Sequence, residues 1–162
     1  MPAHLFDIDT ELTALRQDTP PGQRLLGFDV GSKTLGLALS DSRLVIATPI
    51  ETIHRSRFSD DIVRISTLVS EHHIGGFIVG LPLNMNGSEG PRCQSVRAFA
   101  SNLTAHLPLP LAFWDERLST AVVTRTLIEA DASRKRRQIL VDKMAAAYIL
   151  QGALDRLGQM VP

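Results

Sequence analysis

The stretch LLGFDVGSKTLGLALSD, residues 25–41, decides the fold. Two apolar runs, RLLGFDV at 24–30 and LGLALS at 35–40, flank the turn formers Gly31-Ser32-Lys33-Thr34. This pattern reads as two antiparallel strands joined by a tight turn. A third strand is expected over 44–53, LVIATPIETI, so the chain opens on a three-strand meander. Asp29 interrupts the first apolar run. A carboxylate withdrawn from water must be protonated, paired or bound to a cation.

Beyond residue 54 the period changes. Phe58, Ile62, Ile65, Val69 and His72 recur at three- and four-residue spacing, an amphipathic helix over about 57–73 that Gly75-Gly76 should stop. FIVG at 77–80 reads as a short buried strand, LPLNMNGSEG at 81–90 as a loop. Val96, Phe99, Ala100, Leu103 and Leu107 define a second helix ending before Pro108, and LAFW at 111–114 a last strand running into Asp115-Glu116-Arg117. Ser119 or Thr120 can cap a third helix to about residue 130. A polar loop, DASRKRRQ at 131–138, then precedes a last helix over 140–157.

This order implies an α/β fold: a five-stranded mixed sheet, the meander plus two parallel strands, with helices on both faces. The domain is placed at 24–158, with 1–23 as an N-terminal extension. Within that extension Ile8, Leu12 and Leu15 can form the apolar side of a short helix, ended by Pro20-Pro21-Gly22.

The bulk properties exclude several classes. The 162 residues suit one domain, 44% of them hydrophobic and 21% charged, with a formal net charge of zero. No global field therefore draws the chain to nucleic acid or membrane, and any such attraction must be local. The single cysteine, Cys93, excludes an internal disulfide framework and a multi-cysteine zinc site. No apolar run reaches the length of a membrane span and the first residues are acidic, so a cytoplasmic protein with no membrane partner is expected.

Acids occupy three awkward places: Asp29 near the end of the first strand, Asp115-Glu116 at the carboxyl end of the last, and Asp142 in the first turn of the apolar helix LVDKMAAAYIL. In such a sheet, ligands gather at the carboxyl ends of the parallel strands. Three carboxylates meeting there would repel one another unless a cation lay between them. Oxygen ligands alone select a hard ion, Mg²⁺ or Mn²⁺, and a pair of such ions about 4 Å apart hydrolyses phosphodiesters. Taken singly, each acid has an ordinary alternative: Asp29 as a turn residue, Asp142 as a helix-start acid, Asp115-Glu116-Arg117 as a charged strand end.

Arg134, Lys135, Arg136 and Arg137 form a basic run shortly before Asp142 and suit a polyanion, although a solvated loop would carry the same charges. Asn84 and Asn86 in the glycine loop stand before a helix N-terminus, an arrangement that suits phosphate and also serves as a plain connection. His72-His73 closes a helix and reads as structural.

GFDVGSKTLGLALSD, VGLPLNMNGSEG, WDERLST and RKRRQILVDKMAAAYIL, in that order, resemble the YqgF/RuvX family over about 24–157. That family belongs to the RNase H-like superfamily and is related to RuvC-type Holliday junction resolvases. The resemblance implies an RNase H-like fold and a divalent-metal nuclease whose catalytic and metal-binding acids are Asp29, Glu116 and Asp142, with Asp115 as an alternative or supporting ligand. Adjacent strand residues point to opposite faces, so only one of Asp115 and Glu116 should reach a metal. Asp29 would bridge the ions; Lys33, Arg117 and the 134–137 run would hold phosphates. The implied role is maturation of the 5′ end of pre-16S rRNA, with structured RNA as partner and branched DNA as the alternative substrate, by a monomer or a homodimer. The chain departs from the family pattern in its longer N-terminal extension. Two other classes compete: an actin-like phosphate-loop protein, which would need a second such domain, and a ribosome-assembly factor that binds RNA without cutting it.

Overall fold

The structure, a computed structural model, describes residues 7–119 and 134–160, and for 134–143 the backbone alone. Helix α1 (Ile8–Asp18) is capped by Asp7, whose carboxylate accepts from the Asp9 N–H at 3.1 Å and the Thr10 hydroxyl at 2.7 Å. Strands β1 (Arg24–Val30), β2 (Thr34–Ser40) and β3 (Ala47–His54) form the expected antiparallel meander. Helix α2 (Phe58–Glu71) leads into β4 (Ile74–Leu81), and helix α3 (Pro91–His106) into β5 (Leu111–Asp115). A single 3₁₀ turn (Glu116–Leu118) follows, and helix α4 (Arg134–Gln159) closes the described chain.

The sheet order is β3-β2-β1-β4-β5, with β1, β4 and β5 mutually parallel. The two-residue period of the strands divides the core into two layers. Leu26, Phe28, Leu37, Phe77, Val79 and Phe113 face α2 and α3. Leu25, Ala38, Ile78, Ala112 and Trp114 face α1 and α4. Leu12 and Leu15 bring α1 fully into this second layer. Glu11 of α1 accepts from the Phe113 N–H at 3.3 Å, covering part of the β5 edge.

Three boundaries differ from the expected ones. Strand β3 starts at Ala47 rather than 44, because the Asp41 carboxylate accepts from the N–H groups of Val45 at 2.7 Å and Ile46 at 3.0 Å and folds the preceding residues into a turn. Gly75 and Gly76 do not stop α2; they lie within β4, and the turn is made by His73 at φ 53. Gly76 is required by packing, since a β-carbon there would lie 2.8 Å from both Leu25 Cδ2 and Thr19 Oγ1. Finally, α4 begins at Arg134, so the basic run lies on its opening turns and not in a loop. The helix expected to about residue 130 falls on 120–133, outside the described residues.

Candidate metal and nucleic-acid site

Asp29 lies on β1 opposite Gly36 of β2. By alternation it shares the face of Leu25 and Gly27, the face that α4 covers. The turn after it is closed locally: the Gly31 N–H donates to Thr34 O at 2.8 Å, and a β-carbon on Gly31 would lie 3.1 Å from that same oxygen. The Arg55 guanidinium donates to Gly31 O at 2.6 Å, and the Arg55 N–H to Lys33 O at 2.8 Å. Lys33 itself is exposed at this turn, beside the carboxyl end of β1.

Glu116 starts two strands away, just past β5, with β4 between it and Asp29. It crosses because β4 carries Gly80 at the crossing point. A β-carbon on Gly80 would lie 2.6 Å from Glu116 Oε1 and 2.9 Å from its Cγ. The Glu116 carboxyl thereby reaches Asp29 and is hydrogen-bonded to it. Such a bond between two carboxyls requires a proton on one of them. Burial first, and the neighbouring Asp29 charge second, push Glu116 up to about 7, against the opposing pull of Arg92.

Asp115 is engaged elsewhere. Only 4% exposed, it accepts from Arg117 Nε at 3.0 and 3.1 Å, from Arg117 Nη2 at 2.6 Å and from the Arg117 N–H at 3.0 Å. The remaining Arg117 nitrogen, Nη1, donates to Met85 O at 3.1 Å. Arg117 thus straps the 82–90 loop to the end of β5 with all three guanidinium nitrogens used. The loop also holds itself: Asn84 N–H donates to Ser88 O at 2.9 Å, Gly87 N–H to Asn84 O at 2.8 Å, and Ser88 Oγ to Asn86 Oδ1 at 2.6 Å. Asn86 and Asn84 are both engaged within the loop, the Asn84 amide donating to Ser88 Oγ at 3.0 Å, and Asn84 also lines an open cavity of about 510 Å³ together with Arg92, Glu116 and Arg117.

Helix α4 crosses this face closely because small residues admit it. A β-carbon on Gly27 would lie 2.8 Å from Leu150 Cβ, and one on Gly80 2.6 Å from Ile149 Cδ1. The far end of α4 meets α1, where Arg16 Nη1 donates to Leu157 O at 3.1 Å. Leu15, one residue away, packs at Gly76, the partner of Leu25 at the start of β1. The helix therefore runs against β1, and Asp142, one turn before Ala146, belongs to the end at which β1 reaches Asp29. The side chains of Asp142, Arg134, Lys135, Arg136 and Arg137 lie outside the described residues.

The donor set fits a hard divalent cation: two part-buried carboxyls, oxygen only, held so close that they must otherwise share a proton. Among the described residues no group of three or more His, Cys, Asp or Glu side chains is assembled. Arg92 is the cation that sequence reasoning missed. It follows Gly90-Pro91 at the start of α3 without motif or charge run, and only the fold brings it beside Glu116.

A family model described as "RuvX: Holliday junction resolvase" matches residues 23–156. A protein of Paramagnetospirillum magneticum named "Putative pre-16S rRNA nuclease" is 62% identical over 133 residues, covering 82% of this chain and 86% of its own. One of the same name from Methylocella silvestris is 57% identical over 147 residues, 91% of each chain. Among solved structures, Thermus thermophilus RuvC aligns with a TM-score of 0.48 at 14% identity, over 84% of this chain and 97% of that one.

Proposed function

The chain belongs to the RuvX family, and from that premise we propose that it is a divalent-metal-dependent endonuclease acting on structured RNA, at the 5′ end of pre-16S rRNA. The observation that carries this reading is the Asp29–Glu116 carboxyl pair, assembled across Gly80 at the carboxyl ends of parallel strands. Asp29 and Glu116 hold Mg²⁺ or Mn²⁺ in this reading, and Asp142 completes the ligand set from the opening turns of α4. When bound, the ion supplies Lewis-acid stabilisation of the charge that builds on the phosphodiester during attack by water. Arg92 lies close enough to act on the charge of Glu116, and so is placed to neutralise a phosphate entering beside it. Lys33 and the 134–137 run extend that positive rim along the strand. Asp115 and Arg117 do not touch substrate in this reading; they hold the loop and the 3₁₀ turn that aim Glu116. The enzyme works in the cytoplasm, in keeping with described helices none of which is long and apolar enough to cross a membrane.

Incubation of the protein with precursor 16S rRNA and Mg²⁺ or Mn²⁺, beside Asp29→Asn, Glu116→Gln and Asp142→Asn, tests the reading. Cleavage by the wild type and loss in each variant is expected; equal cleavage by all four proteins would sink it. The description of the matching family favours a second substrate, a four-way DNA junction, which belongs in the same assay.

A further inference from the structure

The cavity beside Glu116 offers apolar walls that a phosphate alone would not use. Its walls are Pro82, Leu83, Met85 and Pro91, with Arg92, Arg117 and Glu116 on its polar side. The apolar walls reward a flat, partly apolar ring, while Arg92 suits the phosphate attached to it. We propose that the 82–90 loop forms a subsite for one unpaired nucleobase of the substrate strand, next to the phosphodiester at the Asp29–Glu116 pair. This rests on the nuclease reading, because a strand lying at Glu116 must pass the cavity that Glu116 lines.

The subsite is preformed. Arg117 fixes the Met85 carbonyl, Cys93 Sγ donates to Pro82 O at 3.2 Å, and hydrogen bonds between Asn84, Gly87 and Ser88 close the loop. On that fixed backbone Met85 stands 89% exposed at the cavity's rim. A thioether contacts aromatic rings favourably, and every base presents such a ring face. Arg92 forms no salt bridge among the described residues and complements the phosphate that travels with the base. A base inside a duplex has its faces stacked and its edge paired, so it cannot enter. The strand must be locally single-stranded at this nucleotide.

The test uses the full chain carrying Asp29→Asn, bound without turnover to a stem–loop RNA with single-stranded flanks and 2-aminopurine at successive positions. One position should change in fluorescence at saturation. Leu83→Ser with Met85→Ser should abolish that change and weaken binding about tenfold. No responsive position, or a response that survives the double variant, would overturn the subsite. A second arm uses the wild-type protein on RNA that is abasic at the responsive position, where cleavage should slow about tenfold. Undiminished cleavage there would overturn the subsite and leave the nuclease reading standing. An intact fluorescence response without cleavage of any RNA would support the subsite and overturn the nuclease reading.

Discussion

Glu116 occupies the space that a side chain on Gly80 would need, and this absence on the central parallel strand is what joins two acids of different strands into one site. Gly80→Ala would put a methyl group 2.6 Å from both Glu116 Oε1 and Ile149 Cδ1. Both must move, so divalent-cation affinity and cleavage should each fall at least about tenfold, with a stability loss on the order of 1–3 kcal/mol. Gly158→Ala is the matched control, since nothing lies within 4 Å of a β-carbon there. It should stabilise α4 by about 0.5–1 kcal/mol and leave Mg²⁺-dependent thermal stabilisation unchanged. Melting curves with and without Mg²⁺ on both variants decide the matter.

The shared proton makes a pH prediction. Glu116 titrates at about 7 in the folded, metal-free protein against 4.5 for the unconstrained group, so the folded state binds more protons between those values. The resulting stabilisation is full below about pH 4.5 and is lost as pH rises through 7, by at most on the order of 3 kcal/mol. Urea unfolding in EDTA should therefore show stability falling over that window. Glu116→Gln should flatten the fall. Saturating Mg²⁺ should oppose it, because the cation binds the ionised pair.

The fold was legible where the physics is local. Asp29 stood out because it breaks an apolar run, and the change from a two- to a 3.6-residue period separated strands from helices. What set the site was not local. The Asp29–Glu116 approach depends on Gly80, which reads in sequence as one more buried strand residue. Arg117 reads as a phosphate ligand inside DER, yet the fold gives its nitrogens to Asp115 and the Met85 carbonyl. The basic run looked like a loop because it is polar, but Arg and Lys are good helix formers and α4 starts on them.

The Arg117 strap should be worth far more than a surface ion pair. Arg117→Ala leaves Asp115, only 4% exposed, without its guanidinium, and releases the Met85 carbonyl. Asp115 keeps only the backbone N–H of residue 117, and the urea midpoint should fall clearly. The Arg64–Glu51 pair has an equally short contact, 2.6 Å, but with side chains 45% and 28% exposed, so Arg64→Ala should lower the midpoint far less. Similar urea midpoints for the two variants would refute the strap.

Arg92 separates binding from folding. It is exposed at the first turn of α3 and forms no salt bridge among the described residues, so Arg92→Ala should change stability by less than about 0.5 kcal/mol. If it meets a phosphate beside Glu116, its removal should weaken RNA binding uniformly across sequences and reduce the slope of log affinity against log salt by about 1. Losing Arg92 also removes the pull that holds Glu116 down, so the pH at which that carboxyl ionises should rise in the metal-free protein. The stability fall with pH should then move to higher pH, in the direction opposite to that of any change that exposes the pair to water. An unchanged salt slope together with an unmoved stability profile would show that Arg92 faces neither substrate nor Glu116 in solution.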